Sequence, residues 1–350
     1  MLTRTADADD VAEYGHELLD LARKLPRASL HLRRLQLHGL AIEAWFSDPA
    51  YADLCERNLA RGSAAADDVR ITLFLLDAQS PGWPPPRRWG SDILDRRAIN
   101  DELARTGLRG SYLHDPRVWQ FFSRDMHVGV QLIRSPGLTP DWETGGPLRV
   151  FLHWAFAERR ARLCHAATLG LDGRGLLLAG AGGSGKSGTT LAGIADGLAT
   201  VGDDYNLIAV EETVRAYPLY RILKQDPAGV TRALGPDAAD RFGATNWQGK
   251  FEIHASSLPH SPFVERLDIG AIVIPKVARR PSAELHPVSP GVAMRAFAPS
   301  SVFQLPDDEH EGIRFAADLC RRLPCFELLL SEDRKDIAGV LRSFIERNFP

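Results

Sequence analysis

Lysine is scarce in this chain. Of 42 basic residues only six are lysine (Lys24, Lys186, Lys224, Lys250, Lys276 and Lys335), so each can be weighed singly. The four cysteines, Cys55, Cys164, Cys320 and Cys325, contain no CxxC pair. That excludes the common zinc and dithiol motifs and reads as free, mostly buried thiols in a reducing cytosol. There is no excess of positive charge: the net charge is -3. Neither nucleic acid nor an acidic membrane surface is expected as a partner. The apolar runs GLLLAGAGG and DIGAIVIP are far short of the roughly 20 residues that a membrane span needs. No basic-then-apolar leader opens the sequence, so the expectation is a cytoplasmic protein. Repeats and low-complexity tracts are also missing. What is present is ordinary for a globular protein: 350 residues, 44% hydrophobic and 25% charged, enough for one large or two medium domains.

Along the chain, residues 7–26 have helical character. LHLRRLQLHGLAIEAW alternates apolar and polar residues as half-buried strands do, and VRITLFLLDA (69–78) is a further strand. SPGWPPPRRWG (80–90) is too rich in proline for helix or central strand. It reads as an ordered loop, with a partner-binding loop as the alternative. WQFFSRDMHVGVQLIR (119–134) returns to strand character, with Trp119, Phe121 and Phe122 expected in the core. SPGLTPDWETGGP (135–147) is the expected domain boundary, and helical spacing follows it in PLRVFLHWAFAERRARL. From there strand and helix signals alternate, with strands at GLLLAG, YNLIAV and RLDIGAIVIP and helices from Lys186 and near 290–298, 311–323 and 333–348. The fold class expected is α/β, with a strand-rich α+β domain over 1–145 and a larger α/β domain over 146–350.

The centre of the second domain is GAGGSGKS (180–187), which fits GxxxxGK[ST] through Gly180, Gly185, Lys186 and Ser187. An apolar run precedes it and a helical stretch follows, the context in which a phosphate loop works. Gly180, Gly182, Gly183, Ser184, Gly185 and Gly188 would let successive backbone N–H groups face phosphate oxygens at a helix N-terminus. Lys186 would reach the β- and γ-phosphates of ATP, and the Ser187 hydroxyl would hold Mg²⁺. The alternative is a glycine-rich turn at a strand end. Asp203 and Asp204 follow, seventeen and eighteen residues after Lys186. Two adjacent carboxylates could divide two tasks, one organising the metal and one accepting a proton; elsewhere such a pair is usually a solvated turn. His165, twenty-one residues before Lys186, is by itself a core histidine of an apolar strand.

Together these pieces resemble the HPr serine kinase/phosphorylase family, with a strand histidine, a short glycine turn (here LDGRG, 171–175), a phosphate loop and an Asp pair. The similarity is greater to an HPr-kinase-like branch among peptide natural-product tailoring enzymes, the kinases of lasso-peptide precursors. It runs through PLRVFLHW (147–154), HAATLGLDGRGLLLAGAGGSGKS (165–187), GDDYNLI (202–208), YPLYRILK (217–224), DIGAIVIPKV (268–277), APSSVFQLP (298–306) and RRLPCFEL (321–328). The Arg-Gly-containing motif associated with phosphorylase activity is missing, and Gly188 stands where HPr kinases carry Glu and the peptide kinases Thr. Phosphorolysis, and HPr itself as substrate, are therefore not expected.

The resemblance implies a P-loop serine kinase using ATP and Mg²⁺ on a peptide or protein, such as a ribosomal lasso-peptide precursor. The strand-rich, aromatic N-terminal domain, which carries no catalytic constellation, is expected to recognise the substrate or a leader segment. The resemblance further implies that Asp203 or Asp204 takes the serine proton, with Asp203 preferred. Asp204 would then join Ser187 at the metal, and His165 would orient the base. Lys224 is the first candidate for a cation at the transferred group, ahead of Arg279 and Arg280, each of which also reads as a surface charge. Lys250, Lys276 and His254 are not separable from surface residues. The N-terminal histidines His16, His31, His38, His114 and His127 have no metal-ligand spacing such as HExxH. The sequence sets no oligomeric state, although HPr kinases proper form oligomers. Two other readings stay open: a small-molecule kinase on the same core, and a nucleotide-binding regulator without transfer.

Overall fold

The structure is a computed structural model. It describes residues 8–65, 68–79, 83, 96–113, 117–157, 159, 161–258, 260–306 and 309–349. The proline-rich stretch 80–90 lies outside them apart from Trp83, which is buried, and His114 lies outside them as well. The chain is mixed α/β and divides into two compact units, residues 1–57 with 61–155 and residues 58–60 with 156–350.

In the N-terminal unit, helix α1 (Ala8–Lys24) precedes the hairpin β1 (His31–Leu37) and β2 (Leu40–Phe46). Helix α2 (Pro49–Asn58), strand β3 (Val69–Asp77), helix α3 (Arg96–Arg105), strands β4 (Leu108–Leu113), β5 (Val118–Ser123) and β6 (Val128–Ile133), and helix α4 (Arg149–Ala157) follow. The strands form one sheet in the order β1-β2-β3-β6-β5-β4. Helix α1 buries Val11, Tyr14, Leu18, Leu19 and Ala22, a stripe at helical spacing, against Phe74, Phe121 and Leu132 of that sheet. Trp119, Phe121 and Phe122 are all buried, as expected of core residues.

The expected boundary at 135–147 is not a free linker. Its Glu143 is buried and accepts hydrogen bonds from the Tyr51 hydroxyl at 2.7 Å and the Leu148 N–H at 2.9 Å. The helix after it still belongs to the first sheet, since a side-chain carbon at Gly129 of β6 would collide with Phe151 of α4. The division between the units falls within α4, at Ala155/Phe156.

The C-terminal unit opens with β7 (Ala161–His165), β8 (Ala167–Leu171) and β9 (Arg174–Leu178), then helix α5 (Lys186–Ala195). Strands β10 (Tyr205–Val210), β11 (Val214–Pro218) and β12 (Ile222–Gln225), helix α6 (Pro227–Leu234), and strands β13 (Phe251–His254), β14 (Leu267–Arg280) and β15 (Glu284–Val288) come next. Helices α7 (Pro290–Ser301) and α8 (Glu309–Arg322), strand β16 (Cys325–Ser331) and helix α9 (Arg334–Asn348) complete the described elements. The main sheet runs β15-β16-β14-β11-β10-β7, with β9 beside β14 and β8 beside β9. Strands β9, β14 and β16 are parallel, and β12 pairs with β13 apart from the sheet.

Both faces of this sheet are covered, which explains the unbroken apolar runs in β9 and β14. Along β14, Ile272 and Ile274 pack toward Phe297 of α7 and Leu319 of α8. Ala271 and Val273 pack toward Leu191 of α5 and Leu341 of α9. Each buried Ile, Leu or Val side chain stabilises the fold by roughly 1.5–3 kcal/mol before the entropy of ordering is subtracted. The exposed edge strand β15 carries Pro287, which lacks the N–H that a further strand would need.

Candidate active site

The turn at Asp172-Gly173 has positive φ at both residues (51° and 83°) and sends β8 back as β9. β9 enters the phosphate-type loop, which lies beyond the carboxyl ends of the parallel strands, where open α/β sheets place ligands. Gly183 and Gly185 take φ of 79° and 106°, a region that favours glycine. A side-chain carbon on Gly185, the N-cap of α5, would also lie 2.5 Å from Leu330 of β16. Nothing stands within 4 Å of such a carbon on Gly182 or Gly183, so that side of the loop is open. Ser184 beneath it has a buried hydroxyl without a partner.

Lys186 is 6% exposed, and its ammonium donates to the carbonyl oxygens of Gly180 at 2.6 Å and Ala181 at 3.2 Å. Burial lowers its pKa; Asp203 and Asp204 oppose the shift and Lys250 reinforces it. Lys250 is thereby separated from the other surface lysines: it is near enough to act on the loop, whereas Lys276 pairs with Glu327 at 3.4 Å. Arg280 pairs with Glu284 at 2.8 Å, and the side chain of Arg279 lies outside the described residues. The His254 ring meets Ser256 at 2.7 Å.

Asp203 and Asp204 do not directly follow a strand. Ala199 and Thr200 make only isolated bridges, and the Asp pair sits at the entrance to β10. The turn is held by two buried hydroxyls: Thr168 Oγ1 accepts from Val201 N–H at 2.9 Å, and Thr200 Oγ1 accepts from Gly202 N–H at 3.0 Å. Asn206 adds a bond from its amide nitrogen to the Ala166 carbonyl at 2.6 Å.

The two carboxylates then differ. Asp203 is 3% exposed; its Oδ2 accepts from the backbone N–H of Lys224 at 3.1 Å, while its buried Oδ1 has no partner. Burial raises its pKa, against the opposing influence of the Lys224 N–H and the Ser187 hydroxyl. Asp204 is partly exposed. Its Oδ1 lies 2.9 Å from His165 Nε2 and its Oδ2 2.9 Å from Lys224 Nζ. Burial would raise the Asp204 carboxyl, but Lys224 and then His165 outweigh it and hold the pKa well below the usual carboxylate range. The His165 ring stacks on Tyr205 (centroids 5.1 Å apart, planes at 20°), whose hydroxyl donates to Gln304 at 2.9 Å. The Ser301 hydroxyl reaches the His165 carbonyl, and the Ser300 hydroxyl the Gly180 carbonyl, both at 3.4 Å.

The structure brings Asp203, Asp204, His165 and Lys224 together, near Lys186 of the Gly180–Gly188 loop. Ser187 lies close enough to Asp203 for its hydroxyl to lower the pKa of that carboxyl. Among the described residues no group of three or more His, Cys, Asp or Glu side chains could hold a metal alone. One carboxylate with an unpartnered buried oxygen, beside one hydroxyl, suits Mg²⁺, which usually keeps water and phosphate oxygens among its ligands. Thr168, Thr200, Tyr205, Lys250, Ser300, Ser301 and Gln304 were not singled out from the sequence. Thr168, Tyr205, Ser300, Ser301 and Gln304 fall within stretches that carry the resemblance (165–187, 202–208 and 298–306), whereas Thr200 and Lys250 do not. All four cysteines are buried, and burial pushes the Cys320 thiol up to about 12.

No protein-family model matches this chain, and no curated protein matches it significantly. Its functional reading rests on residues and geometry.

Proposed function

We propose that this chain is an ATP-dependent serine kinase of the HPr-kinase-like kind, acting on a peptide or protein such as a ribosomal lasso-peptide precursor. The observation that carries the reading is one connected set: Ser187 facing Asp203, Asp203 bound to the Lys224 backbone, and Asp204 held between Lys224 and His165. A purely structural turn has no need to draw β7, α5, the entrance to β10 and β12 onto adjacent carboxylates beside a phosphate-type loop.

We assign the two aspartates different roles. A base must be reached by the acceptor hydroxyl before its pKa matters. Asp204 is partly open and Asp203 is not, so Asp204 takes the serine proton, with His165 fixing its Oδ1 and Lys224 its Oδ2. Its low proton affinity is tolerable because phosphoryl transfer runs through a loose transition state in which positioning and charge stabilisation dominate. Asp203 and Ser187 would hold Mg²⁺, which neutralises phosphate charge when bound. In the reaction the serine Oγ–P bond forms, the bond from the γ-phosphorus to the β–γ bridging oxygen breaks, ADP leaves and the proton passes to Asp204. Lys186 and Lys224 supply positive charge to the transferred group.

The test is transfer from γ-labelled ATP with Mg²⁺ to serine-bearing peptides and host-cell extract, comparing wild type with Asp204→Asn and Lys186→Ala. Label on a peptide or protein serine, lost in both variants, is the expected outcome. Nucleotide binding without label on any macromolecule would redirect the search to small-molecule acceptors or a regulator.

A further inference from the structure

Among the described residues of the C-terminal unit, four large apolar side chains are exposed: Trp247, Val277, Phe303 and Ile313. A single exposed apolar side chain is ordinary. Two of these four, however, belong to one place. Phe303 lies in the turn after α7 and Ile313 early in α8, 48% and 39% exposed. A side-chain carbon at Gly312 would lie 2.9 Å from Val302, so the two segments meet one residue before Phe303 and one before Ile313. The turn is not lifted from the fold, since Val302 and Leu305 on either side of Phe303 are buried. Phe303 is held out while its neighbours are held in.

The same turn is tied to the carboxylates. The Ser301 hydroxyl reaches the His165 carbonyl, and Gln304 accepts from the Tyr205 hydroxyl. Tyr205 stacks on the His165 ring, whose Nε2 meets Asp204 Oδ1. Phe303 therefore stands between two residues that touch the His165–Tyr205 pair. Lys224 takes the other oxygen of Asp204. An acceptor hydroxyl that gives its proton to Asp204 brings its own chain with it, and a chain laid along His165 and Tyr205 arrives at Phe303. That route is two hydrogen-bond contacts and one ring stack long. An extended chain advances about 3.3 Å per residue, so a side chain within about five residues of the serine can reach Phe303. An apolar side chain there would remove water from both surfaces; a polar one would gain little.

We infer that Phe303, together with Ile313, selects acceptors that carry an apolar side chain within about five residues of the phosphorylated serine. The inference rests on the peptide-kinase reading above and adds a specificity to it. It makes the acceptor a segment of chain read partly through its flanking residues, not a lone hydroxyl compound.

The test is transfer from γ-labelled ATP with Mg²⁺ to serine-centred peptide libraries. Each of the five positions on either side of the serine is fixed in turn as leucine or as asparagine. The full chain is compared with Phe303→Ser, Phe303→Leu and Ile313→Ser, and kcat and KM are then measured on the matched leucine and asparagine peptides. The wild type should prefer leucine at one position by roughly fivefold or more in kcat/KM. Phe303→Ser should remove that preference through the peptide KM, leaving kcat, the KM for ATP and transfer to the asparagine peptide within about twofold of wild type. Phe303→Leu should keep the preference, and Ile313→Ser should reduce it by less. No positional preference in the wild type, or a Phe303→Ser variant that loses activity on both peptides alike, would overturn the assignment and leave the kinase reading standing. Label on no library is the separate failure of the peptide-kinase reading, and the assignment falls with it.

Discussion

Glu143 in the N-terminal unit and Asp203 in the C-terminal unit are carboxylates buried to nearly the same degree, 4% and 3% exposed. Their surroundings differ. Glu143 is enclosed by Tyr51 and the Leu148 N–H, and Asp77 of the same unit accepts from Ser47 at 2.5 Å and the Gln79 N–H at 2.9 Å. Neither keeps a buried oxygen without a partner. Asp203 keeps one, next to a hydroxyl and a second carboxylate. Buried polar groups are nearly always satisfied, so an exception at a loop and helix start is more informative than burial itself. Glu143 and Asp77 act wholly as fasteners, whereas Asp203 is fastened through one oxygen.

The largest effect that tests this contrast is on transfer. Asp204→Asn should lower kcat by roughly 10²–10⁴-fold in the labelled-phosphate assay, the range for losing a general base. Glu143→Gln should leave kcat within about twofold; a large loss there would erase the distinction. Stability should respond the other way. Glu143→Ala strands the Tyr51 hydroxyl and the Leu148 N–H and should cost about 2–3 kcal/mol in urea unfolding.

Asp203→Asn should stabilise the protein at neutral pH by about 1 kcal/mol. The sign follows from linkage. The folded pKa of Asp203 is raised, so its favourable contribution is full below the ordinary Asp range and is lost as pH rises through the folded value. The gain in melting temperature from Asn should therefore shrink in acid; an equal gain at all pH values would show that charge burial is not its cause. Smallest is Gly188→Ala. The added carbon would meet only Gln225 Nε2 at 3.5 Å, an ordinary contact. A gain of at most about 1 kcal/mol is expected from helix propensity, with transfer retained.

Much of this was legible in the sequence because it is local. The loop, the strand before it and the helix after it follow from one continuous run, and the alternation in LHLRRLQLHGLAIEAW yields β1 and β2. The adjacent-residue signal at Asp203-Asp204 was legible too, but their different surroundings were not. Those depend on which carboxylate meets the Lys224 backbone and which its ammonium, set by the turn at Thr168 and Thr200 and by strand β12. Ser300 and Ser301 at the end of α7, and Gln304 in the turn after it, reach the site from more than a hundred residues beyond the loop in sequence, and no periodicity announces that. Turn-forming residues at 135–147 look the same whether a segment is a linker or, as at Glu143, part of a packed unit, so the sequence does not show that the compact units divide at Ala155/Phe156.

The position of Lys186 changes how binding at the loop should be understood. Its ammonium already spans the Gly180 and Ala181 carbonyls, so the loop is shaped by its own cation. A phosphate arriving there performs a substitution: the ammonium exchanges two neutral acceptors for charged ones. Affinity then reflects the difference between two sets of bonds, and little ordering of the backbone remains to be done. The heat of binding should be modest for so charged a ligand, and the ammonium acts as a latch that changes partners without letting the loop fall open.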